Sequence, residues 1–183
     1  METCIVEGNI SVKAVLLGKK RKVHKILVDA KKKDKDTAFI LHKAKEAQVD
    51  ITYMKREEID ALATGKTHGG IIAYCGQRKY QNLEELVNKK QVFLALVEGV
   101  EDPFNFGYVL RTLYAAGCDG VLVPLRNWTT AADVVTRASA GASEYINIII
   151  ADDMEDTLTY LHQKDIMLLC AQRKDAISLY SYT

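Results

Sequence analysis

The feature that most constrains this chain is the regular alternation of apolar runs and amphipathic segments after residue 90. The alternating segments predict strands over residues 91–97, 120–124, 145–150 and 166–171, with helices over 105–116, 131–142 and 154–163. Strands connected by helical crossovers form a mainly parallel α/β sheet. The first run is apolar throughout, which is typical of a strand covered on both faces.

The residues before position 80 carry a second, shorter alternation. It predicts strands over residues 25–29, 50–54 and 69–75, with helices over 12–17, 37–47 and 56–62. We therefore expect a small α/β domain over residues 1–80 and a second α/β domain over residues 91–183. Residues 81–90 are expected to form a helical linker between them.

The charge of the chain divides along the same line. Residues 1–90 contain 19 Lys and Arg against 12 Asp and Glu, whereas residues 91–183 contain 6 against 12. Clustered basic side chains displace counterions from phosphates, so the first half predicts a polyanion-binding surface. A solvated basic face is the alternative. The candidate polyanion-binding residues form two runs that we expect in outward-facing loops: Lys19, Lys20, Arg21 and Lys22, then Lys31, Lys32 and Lys33.

Composition excludes several classes of protein. With 48% hydrophobic and 27% charged residues, the chain is unlike a disordered protein. It has no apolar run of about 18 residues, as a membrane helix requires, and its N-terminus has no secretory pattern. The four cysteines are scattered without CxxC spacing, which argues against a metal site. We expect a cytoplasmic protein without a metal or a membrane partner.

The stretch over residues 96–112 is the most informative part of the chain. An apolar strand ends in an acidic loop, and a helix follows, at the position where open α/β sheets bind ligands. Asn105 is the expected N-cap of that helix, and Gly107 leaves room for a ligand or for another backbone. Arg111 is one of only six basic residues after position 90. A surface arginine paired with the preceding loop is the alternative to a functional one.

A second candidate stretch covers residues 137–144 and consists mostly of small residues. Small side chains permit backbone contact with a ligand, or tight packing of a helix on the sheet. Glu144 closes the stretch and can hold an arginine through two hydrogen bonds.

The two stretches resemble the first two signature motifs of the SpoU, or TrmH, family of RNA ribose 2′-O-methyltransferases. The first motif is carried by Asn105, Gly107, Arg111 and Ala115-Ala116-Gly117, and the second by Ala138-Ser139-Ala140-Gly141-Ala142-Ser143-Glu144. Residues 1–80 resemble the substrate-binding domain that precedes the catalytic domain in many members. That similarity lies in Val6-Glu7-Gly8-Asn9 and in Thr67-His68-Gly69-Gly70-Ile71-Ile72-Ala73.

The resemblance implies an RNA-modifying transferase that moves a methyl group from S-adenosylmethionine to a ribose 2′-hydroxyl of tRNA or rRNA. Arg111 would then be the catalytic arginine, Asn105 would position the same ribose, and Glu144 would fix Arg111. Gly141 would contact the cofactor. His68 would contact RNA, with a turn-forming histidine as the alternative. Family members are commonly dimers, so the resemblance also implies a homodimer.

The third motif of the family is not found in this sequence. It should follow the last predicted strand, where the family threads its chain through a trefoil knot. We therefore expect a methyltransferase domain truncated before the knot, and weak or absent binding of S-adenosylmethionine by this chain. The alternative function is a non-catalytic RNA-binding protein with a degenerate methyltransferase fold. A generic nucleotide-binding protein is disfavoured because neither GxGxxG nor a Walker pattern occurs.

Overall fold

The computed structural model of the chain describes residues 3–125 and 131–181. Contacts between residues divide it into two units, residues 1–151 and residues 152–183. The first unit contains two separate sheets. The domain boundaries expected from the sequence, at residues 80 and 91, stay a prediction.

The N-terminal sheet has four strands in the order β1-β4-β2-β3. Its strands are β1 (Cys4–Glu7), β2 (Arg21–Asp29), β3 (Asp50–Met54) and β4 (Ile71–Arg78). The β2–β3 pair is parallel, whereas β4 runs antiparallel to both β1 and β2. Strand β1 was not predicted, because four residues are too few to show a clear alternation.

Three helices accompany this sheet: α1 (Asn9–Gly18), α2 (Lys35–Glu46) and α3 (Arg56–Leu62). Side chains of β2 alternate between two cores, as the two-residue period of a strand requires. Ile26 and Val28 share a core with Val12 and Ile40. Leu27 joins a second, smaller core. The small α/β architecture expected for this half is confirmed.

The C-terminal sheet has three parallel strands in the order β5-β6-β7. It follows a short helix, α4 (Leu83–Val87). Its elements are β5 (Leu94–Leu96), α5 (Pro103–Ala115), β6 (Gly120–Val123), α6 (Ala132–Ala138), a 3-10 turn (Ala142–Glu144) and β7 (Asn147–Ile150). The mainly parallel α/β arrangement predicted for this half is confirmed.

The first strand of that sheet differs from its prediction. Residues 91–97 were expected to form a strand covered on both faces, but β5 contains three residues and none is fully buried. The reason is its position, since β5 lies at the edge of the sheet and pairs with β6 alone. An apolar run of this length does not show whether a strand is central or at an edge.

The second unit contains helix α7 (Met154–Gln163) and a 3-10 turn (Leu179–Ser181). The strand predicted over residues 166–171 is wrong, because the described part of this unit contains no strand. Met167 and Leu169 are both more than half exposed. A strand requires a neighbouring strand to satisfy its backbone groups, and an apolar pattern by itself does not supply one. Among the described residues, no helix combines the length and apolarity that crossing a membrane requires.

Candidate functional site

The start of α5 is capped by a residue other than the one predicted. Asp102 is the N-cap, and its Oδ1 accepts a hydrogen bond of 2.8 Å from the backbone N–H of Asn105. Pro103 occupies the first turn, where its missing N–H costs nothing. Asn105 therefore lies inside the first turn, with an exposed side chain. The expectation that Asn105 caps the helix is wrong, although Asn105 stays available to a ligand.

Arg111 lies two turns further along α5 and is exposed. The six-residue separation places it about 9 Å from Asn105 along the helix axis and roughly 120° around it. Phe104 and Tyr108 are 50% and 55% exposed, and their spacing places them on the same side of α5 as Arg111. This face therefore presents one cation and two aromatic rings to solvent.

Gly107 is buried and lies one turn before Arg111, at the edge of the buried side of α5. A Cβ at this position would lie 2.6 Å from the Cβ of Ala138 and 3.0 Å from the backbone nitrogen of Ser139. The missing side chain therefore allows close approach of α6. Of the two possibilities that the sequence left open for Gly107, the structure supports contact with another backbone.

Glu144 lies at the end of the 3-10 turn and is 0% exposed. The Nε of Arg21 donates to both of its carboxylate oxygens, at 3.2 and 3.3 Å. The Nη1 of Arg78 donates to the same Oε1 at 3.4 Å, and its Nη2 donates to the carbonyl of Ile146 at 2.9 Å. Lys20 lies beside this group, and its Nζ donates to Asn147 at 2.7 Å. We call Lys20, Arg21, Arg78 and Glu144 the Glu144 cluster.

Burial and charge act in opposite directions on the two arginines. Burial opposes the charge of Arg21, but the neighbouring Glu144 and Cys4 together outweigh burial and raise the pKa of Arg21. For Arg78, burial outweighs the attraction of Glu144, and the pKa of Arg78 is lowered. A guanidinium stays protonated under either influence at neutral pH. The cluster therefore contains three cationic groups and one carboxylate.

The same turn packs tightly against α1. Gly18 lies directly against the backbone carbonyl of Glu144, where no side chain would fit. Gly141 has a φ of +85°, and a Cβ there would lie 2.6 Å from the Cβ of Ala14. The residue predicted to contact the cofactor is thus covered by a helix of the N-terminal half.

A second polar contact joins the two sheets near α6. The backbone N–H of Glu7 donates to Asp133 at 3.2 Å, and Arg137 pairs with Asp133. Arg137 also donates to Thr67 at 3.1 Å. Burial raises the pKa of Asp133, and the charge of Arg137 opposes that shift. The second candidate stretch therefore contacts the N-terminal half at both of its ends.

The predicted pairing of Glu144 with Arg111 is not what the structure shows. Among the described residues, the hydrogen bonds to the Glu144 carboxylate come from Arg21, Arg78, Thr136 and Ser143. Its two cations come from residues that are 123 and 66 positions away in the chain, which spacing within a motif cannot indicate. The structure therefore separates the two predicted catalytic charges, with Arg111 exposed and Glu144 buried.

The first basic run is only partly available to RNA. Lys19 and Lys22 are exposed, as predicted. Arg21 is buried and held by Glu144, and Lys20 is half-buried. The run spans the end of α1 and the start of β2, so it does not form the outward-facing loop that the sequence predicted.

The second basic run lies in the connection between β2 and α2. Lys31 and Lys33 are exposed. The Nζ of Lys32 lies 2.8 Å from Asp34, the residue that caps α2. Of the two runs, this one matches the predicted outward-facing loop.

His68 holds a turn together in this structure. It is 3% exposed, its Nε2 lies 3.0 Å from Asp60, and its Nδ1 accepts from the backbone N–H of Gly70 at 3.2 Å. Both ring nitrogens therefore have partners, which supports the turn-forming alternative for His68.

Arg78 was missed by the sequence analysis. It is the direct cross-strand partner of Arg21 in the β2–β4 pair. Two like charges directly opposite each other are unfavourable unless an anion lies between them. The register of β2 against β4 identifies both arginines as members of a charged pair. A single sequence does not show that register. Among the described residues, no group of three or more potential metal ligands is found.

Comparisons with known proteins extend this description. The sequence model described as the SpoU rRNA Methylase family matches residues 91–183. A second model, described as RNA 2′-O ribose methyltransferase substrate binding, matches residues 5–81. Together the two matches cover most of the chain.

An individual protein of the same family also resembles the chain. A Staphylococcus aureus (strain COL) protein assigned to the TrmH family of tRNA/rRNA methyltransferases is 28% identical over 167 residues, which are 88% of this chain and 66% of that protein. The chain therefore spans just under two thirds of the length of that relative.

Two solved structures share the fold. An RNA 2′-O ribose methyltransferase superposes with a TM-score of 0.69 at 21% identity, covering 89% of this chain and 60% of that one. The SpoU methyltransferase AviRb from Streptomyces viridochromogenes, in complex with AdoMet, gives a TM-score of 0.68 at 14% identity, covering 88% of this chain and 60% of that one.

Proposed function

Because this chain belongs to the SpoU rRNA methylase family, we propose that it serves the transfer of a methyl group from S-adenosylmethionine to a ribose 2′-hydroxyl of tRNA or rRNA. The match of residues 5–81 to a substrate-binding model supports RNA as the substrate. The observation that carries the proposal is Arg111, an exposed cation on α5 within the matched region.

The chemistry requires a group that acts on a weakly nucleophilic oxygen. A ribose hydroxyl must pass its proton to solvent as the new oxygen–carbon bond forms, and negative charge develops on the oxygen as the proton leaves. Arg111 stays protonated and cannot act as the base. It can donate hydrogen bonds to the ribose-phosphate and stabilise the developing alkoxide. Asn105 can orient the same nucleotide through its exposed amide.

The described residues do not form the expected cofactor contact at Gly141. S-adenosylmethionine, when bound, supplies a methyl group attached to a sulfonium. Gly141 is buried, and the methyl group of Ala14 lies 2.6 Å from where its Cβ would be. The arrangement of the two sheets in this structure therefore does not fit the cofactor at this residue.

A methyl-transfer assay tests the proposal. The native protein is incubated with tritium-labelled S-adenosylmethionine and unmodified tRNA and rRNA transcripts. A 2′-O-methyl group blocks alkaline cleavage of the adjacent phosphodiester, so we expect the label in alkali-resistant dinucleotides. Label recovered in single nucleotides would indicate base methylation and would contradict the ribose assignment.

The role of Arg111 is tested in the same assay. Arg111→Ala should reduce transfer by roughly a hundredfold, since it removes a donor at the developing charge. Arg173→Ala is the matched control, because Arg173 is also exposed and has been given no role here. Equal transfer by the two variants would show that Arg111 does not act on the ribose.

A non-catalytic RNA-binding protein is the second candidate. The burial of Glu144 and Gly141 against the N-terminal half favours it. Under this alternative, the protein binds the transcripts in a filter assay but incorporates no label.

A further inference from the structure

Arg21 and Arg78 form a pair of cations that requires an anion beside it. They lie directly opposite each other on β2 and β4, where like charges repel. Both side chains are 6% exposed, so water screens the repulsion poorly. A group of opposite charge must therefore lie between them, and in this structure it is the carboxylate of Glu144.

Glu144 does not use the full capacity of the pair. Arg21, Arg78 and the neighbouring Lys20 supply three positive charges to one carboxylate. The Nε of Arg78 is buried and has no hydrogen-bond partner among the described residues. The cluster therefore retains an excess of positive charge and an unused donor.

The guanidinium fork matches carboxylate and phosphate groups equally well. A phosphate of RNA can consequently take the place of Glu144 between the two arginines. RNA also brings neighbouring phosphates, which can pair with the exposed Lys19 and Lys22 beside the cluster. A single glutamate offers no such additional contacts.

We propose that Arg21 and Arg78, with Lys20, bind a backbone phosphate of RNA, and that Glu144 occupies this site when RNA is absent. The contact between the two sheets is then an intramolecular competitor of RNA. Binding of RNA separates the 3-10 turn from α1 and frees Gly141 and Glu144. The proposal rests on the proposed function only for the identity of the polyanion.

Fluorescence anisotropy with a labelled RNA hairpin tests the competition, in the absence of a methyl donor. Glu144→Gln keeps the shape of the side chain but removes the competing charge. It should bind the hairpin about tenfold more tightly than the wild type, because the apparent affinity scales with the fraction of molecules whose site is open. Adding Arg78→Ala to Glu144→Gln should cancel the gain.

Glu155→Gln is the matched control, because it removes one negative charge from an exposed position on α7. Its dissociation constant should stay close to that of the wild type. If Glu144→Gln folds, as judged by circular dichroism, and binds no more tightly than Glu155→Gln, the proposal is overturned.

Hydrogen–deuterium exchange on the wild-type chain provides a measurement that does not depend on any variant. The backbone N–H groups of Glu144 and Tyr145 are held within the 3-10 turn by Gly141 and Ala142. Saturating hairpin should accelerate exchange over residues 142–146. Unchanged or slower exchange there, or no binding of the hairpin at all, would overturn the proposal.

The two proposals fail in distinguishable ways. Accelerated exchange together with no methyl transfer would reject the enzymatic function and leave the phosphate site intact. Methyl transfer together with unchanged exchange would support the enzymatic function and reject the phosphate site.

Discussion

Arg111 and Glu144 belong to the two motifs that the sequence links to one function, yet their surroundings are opposite. Arg111 projects from an exposed face of α5, whereas Glu144 is fully buried between two arginines of the other sheet. A buried charge is part of the packing that holds the fold, while an exposed one is free to meet a ligand. The comparison teaches that residues of two motifs linked to one function can lie in opposite environments, one enclosed by the packing and one open to solvent.

The largest effect should come from removing the buried carboxylate. Glu144→Ala leaves Arg21 and Arg78 facing each other without a counter-charge. We expect the free energy of unfolding to fall by about 3–5 kcal/mol, as for other broken buried ion pairs. Urea denaturation measures it, with Glu155→Ala as the exposed control, which should change by less than about 0.5 kcal/mol. If the free energy of unfolding falls no more than in the control, Glu144 contributes as little to stability as an exposed residue such as Arg111, and the contrast is lost.

A substitution where the helices of the two motifs meet should have the next largest effect. Gly107→Ala puts a methyl group 2.6 Å from the Cβ of Ala138. We expect a loss of about 1–3 kcal/mol from overpacking, although alanine normally favours a helix by about 1 kcal/mol over glycine. Thermal unfolding measures the change. Adding Ala138→Gly should recover part of the loss, and a stabilised Gly107→Ala variant would show that α5 and α6 are not in close contact.

A partly exposed ion pair provides an intermediate case. Lys89 lies 2.6 Å from Asp119, and the backbone N–H of Phe93 also donates to that carboxylate. Hydrogen bonds from Lys89 and Phe93 lower the pKa of Asp119. Its stabilising contribution is therefore present above the unfolded-state value of 3.8 and is lost as the pH falls through the lower folded-state value.

Asp119→Asn tests this ion pair. Its free energy of unfolding should fall by no more than about 1 kcal/mol at neutral pH, because solvent screens the interaction of Lys89 with Asp119. The difference between variant and wild type should vanish in strong acid. Melting temperatures recorded across the acidic range measure this, and a constant difference at every pH would argue against an ionic origin.

The smallest effect on stability should come from Arg111→Ala. Its exposed side chain contributes nothing to a core, so the free energy of unfolding should change by less than about 0.5 kcal/mol. Chemical denaturation measures the change. A loss above about 1 kcal/mol would give Arg111 a structural partner and remove its contrast with Glu144.

Local elements were the part of the fold that the sequence predicted well. Strand β3 and helix α3 have the bounds that the pattern indicated, because a period of two or of 3.6 residues is set within a few positions. The strand expected over residues 166–171 failed for the opposite reason. Its apolar pattern was present, but a strand forms only where a partner strand is available.

In the candidate site, too, some residues could be proposed from local sequence and others depended on tertiary contacts. Asn105 and Arg111 were proposed from a stretch of one helix, residues 105–111. The partners of Glu144 could not be proposed in this way, because Arg21 and Arg78 meet only through the register of β2 against β4. The same register placed Arg21 in the interior, although its basic run predicted an outward-facing loop.

By itself, the sequence determined most helices and strands, the charge of each half and the two family motifs, since each depends on residues close together in the chain. The tertiary structure alone decided which charges meet and which stay exposed. The contacts of Glu144 join residues that are 123 and 66 positions apart, and their energies depend on burial and on the distance between the charged groups. Glu144 is the clearest case, because the family resemblance implied Arg111 as its partner, whereas the fold gave it two arginines from the other sheet.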